Sequence, residues 1–221
     1  MDDGALPRSE PPATDWSLLP LDTLASIFVR LGAVEVLMGA GLVCRSWLEA
    51  AKLPDVWRAV DMEKHEVVVR KSSVVLRAMA KAAVDRSGGQ LRVFAGRFFV
   101  TDELLQYILE RSPSLTTLRL LSCPRSKRLL NVIRESPLLE LRSLVVEYSD
   151  LTVRELSDVL ESCPVLEFVR VRCNRSKMYY GEDEEQALRA KFARIKTIKV
   201  EYDGPSLSFY SRMLNLPGSR P

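Results

Sequence analysis

The 221-residue sequence has one histidine. A multi-histidine metal centre is therefore excluded, and so is histidine-rich catalysis. It has four cysteines, Cys44, Cys123, Cys163 and Cys173, none at CxxC spacing and none near His65. That pattern fits neither a zinc ribbon nor a disulfide scaffold, and reads as buried thiols in a reducing compartment, cytoplasm or nucleus. No apolar run is long enough to cross a bilayer. GxGxxG, HExxH, GxSxG and a phosphate-binding GxxxxGK loop are all missing. His65 lies in EKHEVVV, flanked by charge, and reads as a surface or strand-edge residue. Cys163 ends a helical stretch with no histidine to activate it. The expectation is a chain without catalytic residues, metal or cofactor.

What is present is an ordinary soluble balance, 47% hydrophobic and 28% charged. The net charge of +3 is too small to imply nucleic acid. It hides an asymmetry: residues 1–63 carry a net −5 and the remainder +8. Arg111 to Arg134 holds six bases and no acid. Such a split fits two surfaces for two partners, or simply two solvated faces. Residues 1–14 are acidic and proline-rich, with no basic start or apolar h-region, and read as a disordered tail.

From Trp16 the chain turns helical. Pro20 suits a first helical turn, and Leu21, Leu24, Ile27, Phe28 and Leu31 follow at helical spacing. Gly32 supplies a stop. A second helix is expected over Val34 to Met38, and a third carries Val43, Trp47 and Ala50 and stops before Pro54. Trp57 is expected in an extended segment. Three short helices have more large apolar residues than so small a unit can hide. Periodicity allows two outcomes: all of them pack internally, or one apolar edge docks a partner.

The order Leu19-Pro20, Ile27-Phe28, Leu31, Val43-Cys44-Arg45-Ser46-Trp47 and Val56-Trp57 resembles an F-box over about 45 residues. The stretches DWSLLPLDTL and GLVCRSWLEAAKLPDVW are most similar to plant F-box proteins with leucine-rich repeats, the Skp-interacting group. The resemblance implies binding to a Skp-type adaptor, and through it to cullin and RING subunits. By position it implies adaptor contacts at Leu19, Pro20, Leu24, Ile27, Phe28, Leu31 and Val43. Trp47 and Trp57 would brace the helices and the next domain. The second helix departs from the commoner pattern. It reads AVEVL before Gly39-Ala40-Gly41, where each glycine costs about 1 kcal/mol of helix stability relative to alanine.

Beyond the helices the sequence repeats. ERSPSLTTLRL, RESPLLELRSLVV and ESCPVLEFVRV each join a helix end, a proline and an apolar alternation. Aligned on Val93, Leu118, Leu144, Val169 and Ile198, the steps are 25, 26, 25 and 29, with 33 back to Val60. Most fall within the leucine-rich-repeat range of about 20–29 residues. The inward pairs are expected to be Leu91/Val93, Leu118/Leu120, Leu144/Val146, Val169/Val171 and Ile198/Val200. Helices are expected over 74–84, 101–110, 126–135 and 152–161, the last opened by a Thr152–Glu155 capping box. Pro113, Pro137 and Pro164 end helices. Asn174 to Gln186 reads as an exposed loop.

The fold class is thus α/β. A three-helix F-box (15–60) precedes a short leucine-rich-repeat solenoid (61–203) of parallel strands with helices on the convex side, and a tail covers 204–221. An ordinary α/β sandwich is the competing architecture. On the concave side Arg92, Arg119, Arg170 and Lys199 are expected at one central position, with Arg172 beside them. They would form a positive stripe for an acidic or phosphorylated protein segment, or a solvated sheet face. The function implied is target recognition for a Skp–cullin–F-box ubiquitin ligase. The rivals are a repeat scaffold outside any ligase and an enzyme with an unfamiliar site. Nucleic-acid and membrane partners are not expected.

Overall fold

A computed structural model describes residues 15–123, 126–136, 138–149, 152–173 and 182–202. The expected tails, Pro137 and residues 174–181 lie outside these. Three helices open the fold: α1 (Leu21–Leu31), α2 (Ala33–Met38) and α3 (Arg45–Ala50). Pro20 precedes α1 in extended backbone, and Gly32, at φ 89°, ends it where an L side chain would be strained. Gly41 is required for a second reason: a Cβ there would sit 2.8 Å from the Val36 carbonyl oxygen. A 3-10 turn, Pro54–Trp57, replaces the extended segment expected around Trp57.

The rest is a six-stranded parallel sheet in chain order: β1 (Ala59–Asp61), β2 (Val93–Gly96), β3 (Thr117–Leu121), β4 (Ser143–Ser149), β5 (Phe168–Cys173) and β6 (Thr197–Tyr202). The short α4 (Glu66–Arg70) and α5 (Ser73–Arg86) join β1 to β2. One helix crosses between each later pair: α6 (Asp102–Arg111), α7 (Ser126–Glu135), α8 (Val153–Ser162) and α9 (Glu182–Lys191). Neighbouring parallel strands joined by single helices give the solenoid and not the sandwich. Side-chain caps start the helices where the sequence offers them. Thr101 Oγ1 accepts from the Leu104 N–H, and Thr152 and Glu155 form the reciprocal box.

Val60, Phe94, Leu118, Leu144, Val169 and Ile198 lie side by side across the sheet and face the helices. This corrects the expected register of β2, whose inward residues are Phe94 and Gly96 instead of Leu91 and Val93. The repeat is an apolar triad, not a pair. Leu91, Leu115, Leu141, Leu166 and Ile195 are each buried three residues before the first inward strand position. Trp57 stands in the same place before Val60, so the last F-box tryptophan is also the first repeat's anchor. The boundary drawn at residue 60 therefore cuts through β1.

One hydrophobic core runs from Leu24 and Phe28 through Trp57 to Ile198. Residues 182–186, expected in a loop, open α9 instead. Their acidic side chains favour a helix N-terminus, and Leu188 and Phe192 anchor the helix in the core.

Candidate functional site

The segment before α1 is tied to the third helix of the unit. The Trp47 indole N–H donates to the Trp16 carbonyl at 3.1 Å, and Ser46 Oγ donates to the Ser17 carbonyl at 2.9 Å. Asp15 accepts from the Ser17 N–H, and Trp47 meets Phe28 edge-on at 5.6 Å between ring centres. This bracing leaves Trp16 and Leu18 exposed, Leu18 at 78%. Eight of the thirteen exposed large apolar side chains among the described residues fall between Trp16 and Val43. Such a concentration in one segment is unusual on a solvated surface.

The expected contact residues divide by burial. Pro20, Leu31 and Val43 are exposed, and Leu19 and Ile27 are half-buried against the core. Leu24 and Phe28 are fully buried and offer no surface to a partner, so they are corrected to internal support. They sit on the α1 face that packs against α3 and Trp57, and a helical period cannot tell which apolar stripe faces inward. Leu18, Leu21, Met38 and Leu42 fall outside the expected contact set, although all four are exposed. Leu18 could have been found as the residue directly before the Leu19-Pro20 pair.

The basic stripe on the helix-free face is also corrected. Arg92 precedes β2, and its register neighbours are Arg58 and Thr116, through main-chain bonds of 2.8 and 2.9 Å. The central row reads Asp61, Ala95, Arg119, Val145, Arg170 and Lys199. Its arginines are paired. Arg119 Nη2 lies 2.6 Å from the buried carboxylate of Glu63. Arg170 and Arg172 both reach Glu201 Oε2, at 2.8 and 2.9 Å, and Arg172 also faces Glu147 at 3.7 Å. Lys199 stays exposed outside these pairs. The face is a cross-linked floor of opposite charges, not a line of open bases.

Hydrogen bonds from Arg170, then Arg172, hold the Glu201 carboxyl down to about 2. A carboxylate lowered in the fold stabilises it above the ordinary value of 4.5, and that share is lost as pH falls toward 2. Acid unfolding should therefore steepen across this window, and Glu201→Gln should flatten it. The pair is exposed enough for solvent to screen it, so the change is small. An unchanged acid-unfolding profile in the variant would remove this assignment.

The expectation of buried thiols holds for Cys123 and Cys163 but not for Cys44, which is half-buried and whose thiol is lowered by its hydrogen bond with Ser46. Burial pushes Cys123 up to about 12 and raises Cys163 as well. Among the described residues no cluster of metal-ligating side chains occurs. His65 caps a helix instead of standing at a strand edge. Its Nδ1 accepts from the Val67 N–H as the cap of α4, which puts the proton on Nε2, 2.7 Å from Glu35 on α2.

Comparison with known proteins agrees with this layout. A family model described as F-box-like matches residues 16–63. The Arabidopsis thaliana F-box protein SKIP19 is 31% identical over 208 residues, which cover 90% of this chain and 67% of that relative. The Arabidopsis putative F-box/LRR-repeat protein 23 is 33% identical over 86% of this chain and 43% of its own length. Putative F-box/LRR-repeat protein 9, from the same plant, is 33% identical over 72% of this chain and 66% of its length. The chain belongs to the plant F-box/leucine-rich-repeat family.

Proposed function

We propose that the chain is a non-catalytic target-recognition subunit of a Skp–cullin–F-box ubiquitin ligase, acting in the cytoplasm or nucleus. The exposed apolar side chains between Trp16 and Val43 dock a Skp-type adaptor, and the adaptor links the chain to cullin and RING subunits. The repeats hold a target protein. Ubiquitin transfer is then carried out by other subunits, and this chain raises the local concentration of the target beside them. The observation that carries the reading is the crowding of exposed apolar residues onto the segment that matches the F-box-like model.

Copurification with a recombinant Skp-type adaptor tests it. The intact chain should form a stable complex. Leu19→Ala with Pro20→Ala should weaken it by about 2 kcal/mol, roughly 30-fold, because anchors near the centre of an interface dominate its energy. Val43→Asp should act alike, since Val43 is 63% exposed and its change leaves the core intact. A chain that binds no adaptor would instead be a scaffold outside the ligase. Equal capture by intact chain and variants would sink the assigned face.

A further inference from the structure

The apolar exposure does not stop at the segment that matches the F-box-like model. Of the five exposed large apolar side chains described outside residues 16–63, three stand within seven positions, at the elbow between α4 and α5. They are Val69, Val74 and Val75, with Val74 at 68% exposure. Neither the cap nor the core calls for valine at the start of α5. α6 opens with Asp102 and Glu103, and α8 carries Glu155 at the third position of its capping box. Such acids suit the positive end of a helix. α5 has a Ser72 cap as well, yet its second and third positions hold Val74 and Val75. A β-branched residue is also a weaker helix former than glutamate.

The elbow borders the helical unit. Val75, Met79, Ala82 and Arg86 follow one another at helical spacing and form one stripe of α5. Arg86 ends that stripe over the Trp57 ring. The other flank of α5 faces the next repeat: Lys81 lies over the Tyr107 ring, and the Tyr107 hydroxyl donates to Asp85. The stripe that begins at Val75 therefore faces the helical unit, and α2 packs against α5. The hydrogen bond between His65 and Glu35 ties α4 to α2. Met38 lies one turn from Glu35, and Val69 one turn from His65. Both are exposed, so the apolar face of α2 continues past this bond onto the elbow.

Resting on the reading of the chain as an adaptor-binding subunit, we infer that the docking face extends onto the first repeat. Val69, Val74 and Val75 contact the same Skp-type adaptor that covers Met38 and Leu42. The continuity of the apolar surface selects this occupant: a partner seated on Met38 reaches Val69 and Val75 without crossing a charged flank. The adaptor then holds the first repeat as well as the F-box.

Calorimetric titration of the full chain with a recombinant Skp-type adaptor tests the extension. Val75→Glu completes a capping box with Ser72, and Val74→Asp suits the helix N-terminus, so the double variant should unfold at the same or a higher temperature. It nevertheless places two charges on the face, and should bind the adaptor about tenfold more weakly. Damage to the fold cannot produce that combination. In the intact chain the adaptor should also slow amide hydrogen exchange over α4 and the first two turns of α5. Equal affinity of the intact chain and the double variant would overturn the extension. If Val43→Asp still weakens binding in that case, the docking face within residues 16–63 stands without it. An intact chain that binds no adaptor would overturn both readings. Self-association of the intact chain that the double variant abolishes, with adaptor affinity unchanged, would assign the elbow to a second copy and overturn the extension as well.

Discussion

Replacing Trp57 by alanine should destabilise the helical unit and the repeats together, by about 3–5 kcal/mol. Trp57 is fully buried. Its indole N–H donates to the Ala51 carbonyl at 2.9 Å, inside the fold, and the Arg86 guanidinium lies over its ring at 5.2 Å. Truncation removes the largest buried side chain and leaves a buried carbonyl unpaired, which adds about 1 kcal/mol or more. Against a typical total of about 5–15 kcal/mol, that is a large fraction. The core is continuous from α1 to β6, so the loss should lower one cooperative transition instead of splitting off the F-box. Trp57→Phe keeps most of the bulk and loses the hydrogen bond, so it should cost far less. Urea unfolding followed by far-ultraviolet circular dichroism measures both. An early, separate transition of the helical unit in Trp57→Ala would show that the two parts do not share this anchor.

The position of Trp57 also explains what the sequence made legible. Helices announced themselves through long-range periodicity and caps: the expected 126–135 is α7, and the Thr152–Glu155 box opens α8. The strands were legible in existence but not all in register. In β3, β4 and β5 the register read from the alternation is the one observed, although Leu121, Val145 and Phe168 put apolar residues on the other parity as well. In β2 the run Leu91-Arg92-Val93-Phe94 offers apolar residues of both parities, and only burial decides between them. Phe94 takes the core because it fills more of it, and the main-chain bonds of Arg92 to Arg58 and Thr116 fix the shift. A slip of one residue moves every side chain to the other face. That slip is why Arg92 was assigned to a basic stripe it does not join.

The candidate docking face was legible as a motif and illegible as a surface. A motif records which residues recur, whether they touch a partner or support those that do. Leu24 and Phe28 lie on the buried face of α1, while Leu18 and Leu42 carry the exposure. The charge pairs were illegible for a different reason. Glu63, just after β1, meets Arg119 on β3 across the intervening β2, 56 positions along the chain. No local spacing encodes such a contact.

Gly96→Val should destabilise the fold by about 3 kcal/mol, although valine or leucine occupies the matching place in every later strand of the sheet. Leu120, Val146, Val171 and Val200 share that row, so a repeat-consensus argument would recommend valine. The geometry at β2 forbids it. A Cβ on Gly96 would lie 2.5 Å from Val100 Cγ2 and 3.0 Å from Phe94 Cε1, and both of those residues are fully buried. The turn after β2 tucks Phe99 and Val100 into the space that a strand side chain fills in the other repeats. Larger residues have no unoccupied volume to enter, and a close-packed core yields only by moving backbone or forcing poor rotamers. Gly96→Ala should already cost about 1–2 kcal/mol, and valine more. Combining Gly96→Val with Val100→Ala should recover part of the loss, because the smaller residue removes the nearest contact. Thermal and urea unfolding of the three variants would decide it. A stability gain in Gly96→Val alone would mean that the turn, not the strand, gives way, and that β2 can take the register of its neighbours.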